Sequence, residues 1–352
     1  MSSTSATGAA SSNALALTAL ARARELLDAP MREAVGRLAP PVRNVVAYHF
    51  GWVDADGTAG EAHRGKAIRG TLAVLSAQAV GASESEGVPG ALAVELVHNF
   101  SLLHDDVMDG DTERRHRETA WAVFGSSAAI LAGDALLALS FETLLAVNPV
   151  RAQPAGRALA AAIHHLIVGQ VGDLDLERRL DVTLEECLAM AAGKTASLMA
   201  CAASIGAHLG AGSADALQAL DVFGYELGIA FQLVDDLLGI WGASASTGKP
   251  VGADLRARKN SLPVVAAMNS GTAAGAELRS LYASGALNPE ADDDAVARAS
   301  ALVDEAGGRA WAVDESQRRL ERACEALAGA DLDQPTVQLL TQIAEYVTAR
   351  DH

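Results

Sequence analysis

Cysteine is scarce in this chain: three in 352 residues, Cys187, Cys201 and Cys324, widely spaced and without a C-x-x-C pair. That count excludes a disulfide framework and a thiolate zinc site, and leaves ordinary core residues of a reducing compartment, the cytoplasm. Aromatic residues make up only 4% of the chain, too few for a base-stacking surface. Positive charge is also short, with 27 Lys and Arg against 44 Asp and Glu and a formal net charge of -17. A nucleic-acid partner is excluded, because a phosphate backbone needs a basic face. The most apolar stretches, "ALLALSFETLLAV" and "TASLMACAASIGAHLG", read as too short or too interrupted for the ~20 apolar residues of a membrane span. No transmembrane segment is expected. The opening "MSSTSATGAASSNALAL" lacks a basic region and a continuous apolar run, so it is a poor signal peptide and reads as a disordered Ser/Ala leader over residues 1–13.

What the chain does have is hydrophobic residues, at 50%, enough for a sizeable core. From Ala14 onward it is rich in Ala and Leu at three- and four-residue spacing, with little β-branched alternation. The fold class is therefore all-α. Gly, Pro, Ser and Asp cluster at breaks such as "GASESEGVPG", "VNPVRAQP" and "GASASTGKPVGADLRARKN". They separate about ten or more helices. No fixed-period repeat and no shift of composition marks a second domain, so residues 14–352 read as a single large helical bundle around a central cavity.

The run "GALAVELVHNFSLLHDDVMD" ends an apolar helix on acids. Asp105 and Asp109, four apart, share a face, with Asp106 beside them. Like charges at that spacing repel, so a cation is expected there. Oxygen donors without His or Cys point to a hard ion, Mg²⁺, completed by water and phosphate oxygens. The plain alternative is a solvated acidic helix end. A second pair, Asp235 and Asp236 in "FQLVDDLLGIWG", lies far downstream. Basic residues stand in polar settings between and after the two pairs: Lys66 and Arg69, Arg114 and Arg115, Lys194 beside Thr195, and Lys249. Metal-holding acids together with Lys and Arg describe a diphosphate site. Neither "GKT" at Gly193 nor "GASASTGKP" completes a P-loop: Leu188 stands where the first Gly belongs, and Pro250 replaces the Ser or Thr.

From about residue 30 onward the chain resembles the trans-isoprenyl diphosphate synthases, the polyprenyl synthetases. "DDVMD" with its following Arg pair is similar to their first Asp-rich motif. "GQVGDLD", "GKTASL", "FQLVDDLLG" and "GKPVGADLRARKNSLP" are similar to the later ones, in the family's order. The resemblance implies the isoprenoid synthase fold, a homodimer, and Mg²⁺, about three ions per active site, held by Asp105, Asp106, Asp109, Asp235 and Asp236. It implies that Lys194, Thr195, Lys249, Gln232 and Arg114 hold or adjoin the allylic diphosphate. Lys66, Arg69, His98 and Arg115 would hold isopentenyl diphosphate, while Gln170 and Asp173 line the reacting end. Asp105, Asp106, Lys194, Asp235 and Lys249 would be the catalytic set.

Three departures stand out. Gly239 occupies the place of a third Asp, which weakens one ligand set; Arg64 replaces a Gly; and Gly70 stands where Pro is frequent. In the family the fifth and fourth residues before the first Asp form the floor for the growing chain, here Phe100 and Ser101. Phe100 lies roughly 7 Å along the helix from Asp105. One aromatic beside a small residue resembles the C20 pattern, so geranylgeranyl diphosphate is the expected product, with a farnesyl or longer-chain synthase as the alternative. A class I terpene cyclase would not need Lys66, Arg69 and Arg115, and a non-catalytic regulatory subunit would tolerate a degenerate first motif.

Overall fold

The computed structural model describes residues 3–60, 65–242, 251–288 and 290–349, with side chains from residue 13. Among them the fold is all-α, as the spacing of apolar residues requires. Strand is confined to one two-residue hairpin, Glu113–Arg114 (β1) with Arg117–Glu118 (β2), and an isolated bridge between Val53 and Ala59. Helix α1, Ser3–Gly36, takes in most of the leader for which disorder was expected. Alanine, the best helix former, is frequent there.

The chain divides into two compact units, a division that no change of composition marks. The first comprises residues 1–161, 201–221 and 330–342. Its helices include α2 (Pro40–His49), α3 (Ile68–Ala79), α4 (Glu84–Asp109), α5 (Ala120–Phe124) and α6 (Ser126–Leu145). Helix α4 packs on both α3 and α6, burying Leu92, Val94, Leu96, Val97 and Leu103. A capping box of Ser83 and Glu86 starts it. Gly110, with φ of 70°, stops it in the left-handed conformation. Those two signals place Asp105, Asp106 and Asp109 in the final turn.

The second unit comprises residues 162–200, 222–329 and 343–352. It takes the end of α7 (Pro149–Leu176), then α8 (Leu184–Ala191), a π-helical turn (Ala192–Ala196) and the start of α9 (Ser197–Leu209). The later part of α10 (Ala214–Trp241) follows, and then α11 (Ala253–Arg256), α12 (Leu262–Met268), α13 (Ala273–Ser284), α14 (Asp293–Glu305) and α15 (Gly308–Ala328). A final helix, α16 (Gln334–Thr348), begins in the first unit. One core of this unit joins Leu176, Cys187, Ile229, Leu233, Leu237 and Leu262; another gathers Ile240, Leu255, Tyr282, Leu302 and Val303.

Two apolar runs are longer than the sequence reading allowed. Ser126–Leu145 and Leu184–Leu209, of 20 and 26 residues, are long and apolar enough to cross a bilayer by length and composition, with 44% and 61% of their most apolar windows buried inside the protein. Asp134, Ser140 and Lys194 interrupt the apolar pattern without ending the helix, because one polar side chain removes no backbone hydrogen bond.

Candidate active site

In the first unit the acids sit where local physics disfavours them. The last turn of α4 carries no basic residue, and the helix dipole presents its negative end there. Asp105 is half-buried, Asp109 exposed and Asp106 only 2% exposed. The Nε of Arg114 donates to Oδ1 of Asp106 at 2.6 Å. Burial nevertheless keeps the Asp106 carboxyl above its ordinary range, and the charges of Asp111 and Asp109 push the same way against Arg114. A divalent cation would relieve that repulsion.

The Arg pair is delivered by the hairpin. Its two-residue turn, Arg115 and His116, has φ values of 53° and 62°, the left-handed region where such turns normally place Asn or Gly. Two ordinary side chains held there store backbone strain. The strain aims Arg115, whose Nη2 lies 3.0 Å from where a Cβ on Gly65 would stand. Shielding from water lowers the Arg115 pKa, and the Arg114 charge adds to it, while Glu95 and Asp106 oppose. Another left-handed residue, Ala67 with φ of 52°, separates exposed Lys66 from Arg69 at the start of α3. Nη1 of Arg69 stands 3.5 Å from Nε2 of His98. Burial, then the charges of Arg69 and Arg115, hold His98 well below the usual imidazole range. It is therefore neutral, and because Arg can only donate, Nε2 is the acceptor. His49 is held down to about 3 in the same way and meets Asn99 at 3.1 Å. Lys66, Arg69, His98, Arg114 and Arg115 thus belong to one unit and to three neighbouring segments.

In the second unit, α7 and the π-helical turn touch through glycine. A Cβ on Gly169 would overlap the backbone nitrogen of Lys194, and one on Gly193 would come 2.8 Å from the Cα of Gly169. The contact brings Nζ of Lys194 to Oδ2 of Asp173 at 2.5 Å. Gln170, one residue beyond the crossing, is 6% exposed, and neither its amide nitrogen nor its oxygen has a hydrogen-bond partner among the described residues. An orphaned buried amide awaits a polar ligand or water. A relay follows: Thr195 Oγ1 donates to Gln232 Oε1 at 2.6 Å, and Gln232 Nε2 donates to Asp236 Oδ1 at 2.7 Å. The backbone N–H of Leu262 donates to Asp236 Oδ2 at 2.8 Å. Asp236 is 7% exposed while Asp235 is exposed. Burial raises the Asp236 carboxyl to about 7.

The two acidic motifs therefore share a design. In each, one Asp is buried and bonded to protein donors, and the accessible carboxylates are Asp105 and Asp109 in one and Asp235 in the other. The donors are oxygens and suit a hard divalent cation. Among the described residues no three His, Cys, Asp or Glu side chains converge on a single point, so water and substrate oxygens would complete the shell. The departure at Gly239 has a structural cause: a Cβ there would overlap Oδ2 of Asp254, so that carboxylate occupies the space. Asp254, on α11, lies beside the second motif, where its charge helps to raise Asp236. Asp254 was missed, as was Glu95, which stands one helical turn before His98; the signal for Asp254 was the glycine itself. Lys249 and Arg64 lie outside the described residues. Phe100 and Ser101 are 6% and 8% exposed; the Phe100 ring meets His104 edge-on at 4.8 Å, and Ser101 Oγ donates to the carbonyl of His98. Ser101, four before Asp105, lies beneath it on the helix.

Residues 58–299 match the family model described as polyprenyl synthetase. A (2E,6E)-farnesyl diphosphate synthase of Mycobacterium tuberculosis is 44% identical over 335 residues, 95% of this chain and 93% of that protein. A geranylgeranyl diphosphate synthase of the same organism is 43% identical over 325 residues, 92% of each. The crystal structure of a polyprenyl synthetase from Streptomyces coelicolor superposes with a TM-score of 0.90 at 50% identity, covering 95% of this chain and 100% of that one.

Proposed function

The chain belongs to the polyprenyl synthetase family, whose members are prenyltransferases that make prenyl diphosphates, and from that premise we propose that it condenses isopentenyl diphosphate with an allylic diphosphate to make geranylgeranyl diphosphate. The observation that supports the reading is that each unit carries an accessible carboxylate at the end of an apolar helix, with Arg69, Arg114 and Arg115 in the first and Lys194 and an orphaned buried amide in the second. Asp105, Asp109 and Asp235 hold Mg²⁺, and Asp106 and Asp236 fix the helix ends from which they project. Mg²⁺ supplies charge neutralisation at the departing diphosphate. Lys194, Thr195, Gln232, Arg114 and Lys249 bind that diphosphate, and Lys194 is held ready by Asp173. Lys66, Arg69, His98 and Arg115 bind isopentenyl diphosphate. Neutral His98 gives a hydrogen bond without adding a further cation. The allylic carbon loses diphosphate and bonds to the isopentenyl double bond; the proton lost in the last step goes to the released diphosphate. Close orientation and exclusion of water keep the allylic cation from hydrolysis.

The C20 product rests on Phe100 beside small Ser101. A C15 product is the second reading, favoured by the 44% identity to a protein named as a farnesyl diphosphate synthase. The two units act as the single synthase domain over residues 14–352, in a cytoplasmic homodimer. Exposed Ile130 and Leu131 on α6 and the free cysteines support those assignments. The test is incubation with Mg²⁺, isopentenyl diphosphate and each of dimethylallyl, geranyl and farnesyl diphosphate, with the dephosphorylated products identified by mass. A C20 alcohol supports the reading, and C15 alone transfers it to the farnesyl alternative. Absence of condensation with every primer overturns it.

A further inference from the structure

Glu95 sits in a pocket of cations without an assigned task. It lies on α4, three residues before His98 and so on the same face. Its Oε1 accepts the backbone N–H of Gly70 at 2.8 Å. Gly70 is the third residue of α3, and N–H groups in the first turn of a helix lack a partner within it. The carboxylate therefore caps α3 from a neighbouring helix, at the positive end of its dipole. Burial pushes the carboxyl up, while the Gly70 N–H and the charges of Arg69 and Arg115 draw it down.

The glycine and the acid belong together. Gly70, unlike a proline at that place, has an N–H to give. A Cβ at Gly70 would lie 3.2 Å from both Cγ and Oε1 of Glu95 and 2.6 Å from Cδ1 of Leu27. An acid in a diphosphate pocket would repel its ligand unless it did something else for binding. Here its charge offsets part of what burial, and then the Arg114 charge, do to Arg115.

We propose that Glu95 is a positioning residue of the isopentenyl diphosphate half of the site, fixing through Gly70 the start of α3 that carries Arg69, with its negative charge near Arg69 and Arg115. It rests on the assignment of those arginines to that substrate. Preorganised cations bind without the cost of being ordered by the ligand. The effect falls first on isopentenyl diphosphate, because the hydrogen bond of Glu95 is to Gly70, the neighbour of Arg69.

The experiment is steady-state kinetics on the full-length chain and on Glu95→Gln and Gly70→Pro, with each substrate varied in turn and Tm recorded. Glu95→Gln keeps the shape and the acceptor but removes the charge; Gly70→Pro removes the donor and also adds a Cβ 2.6 Å from Cδ1 of Leu27, a packing cost that the Tm reads. For Glu95→Gln the KM for isopentenyl diphosphate should rise about tenfold, and for Gly70→Pro about threefold, with the allylic KM within about twofold of wild type. An unchanged isopentenyl KM in Glu95→Gln, or an equal rise in both KM values, overturns the proposal. Should Glu95→Gln fail to fold, Gly70→Pro decides by the same criterion, and loss of folding in both would make Glu95 a structural residue and end the idea. A wild-type chain that takes no isopentenyl diphosphate overturns the function itself, a result distinct from a variant that binds it normally.

Discussion

Substituting Gly239→Ala tests whether the missing third Asp of the second motif is a loss or an exchange. The added methyl would overlap Oδ2 of Asp254 and come 2.5 Å from its Cγ, so the carboxylate must move. Filling an occupied space costs about 1–3 kcal/mol. Gly239 lies within α10, where Ala in place of Gly returns about 1 kcal/mol through helix propensity. The net expectation is a loss of about 1 kcal/mol, or a Tm lower by about 2–4 °C for a large domain. In an Asp254→Ala background the overlap is gone and only the propensity remains, so the same substitution should stabilise by about 1 kcal/mol. The change of sign, a coupling of about 2 kcal/mol, is what a double-mutant cycle reads. Urea unfolding of wild type, both single variants and the double variant supplies the four free energies. Equal effects of Gly239→Ala in the two backgrounds would refute the claim that Asp254 fills the place of the absent acid.

Other outcomes follow from the same geometry. Asp105→Ala, or EDTA added to the wild type, should lower the condensation rate by at least about 10²–10³-fold, with Tm little changed for the variant; retention of most of the rate would remove Asp105 from the metal set. Phe100→Ala should shift the product distribution toward longer chains in the mass-spectrometric assay, and an unchanged distribution would end its role as floor. Glu186 is held at about 2 by the backbone N–H of Thr183 first, then by Arg179 and the Thr183 hydroxyl. A depressed carboxyl adds stability above its unfolded value of 4.5, lost as pH falls through the folded one. Glu186→Gln should therefore be less stable than wild type at pH 7, with the difference shrinking as pH falls below 4.5 and through about 2, and parallel melting curves at every pH would contradict the assignment.

Helix α4 was legible because each of its signals is local. "ALAVELVHNFSLL" repeats apolar residues at helical spacing, and Gly110 ends the run, so the acids had to fall in the last turn. The inequality within each Asp pair was not legible: Asp106 is buried and accepts from Arg114 of the hairpin, and Asp236 is buried and accepts from Gln232 and the N–H of Leu262. In "DDVMD" and "VDDLL" the members of each pair look alike; burial in the fold, at 2% exposure for Asp106 and 7% for Asp236, separates them. The π-helical turn was hidden for a similar reason. "AAGKTASL" has an unbroken helical pattern, and its irregular turn coincides with the close approach of Gly169 on another helix. "ERRHRE" carries no turn signature, since a tight hairpin prefers Asn-Gly, and yet Arg115 and His116 occupy the left-handed region. The last two misses are places where a local preference is overridden: an irregular turn inside a helix and an Arg-His tight turn. Strain of that kind persists only where surrounding contacts over-determine it. Its concentration at the residues proposed to hold two diphosphates means that the points at which sequence rules fail mark the site as clearly as the motifs do.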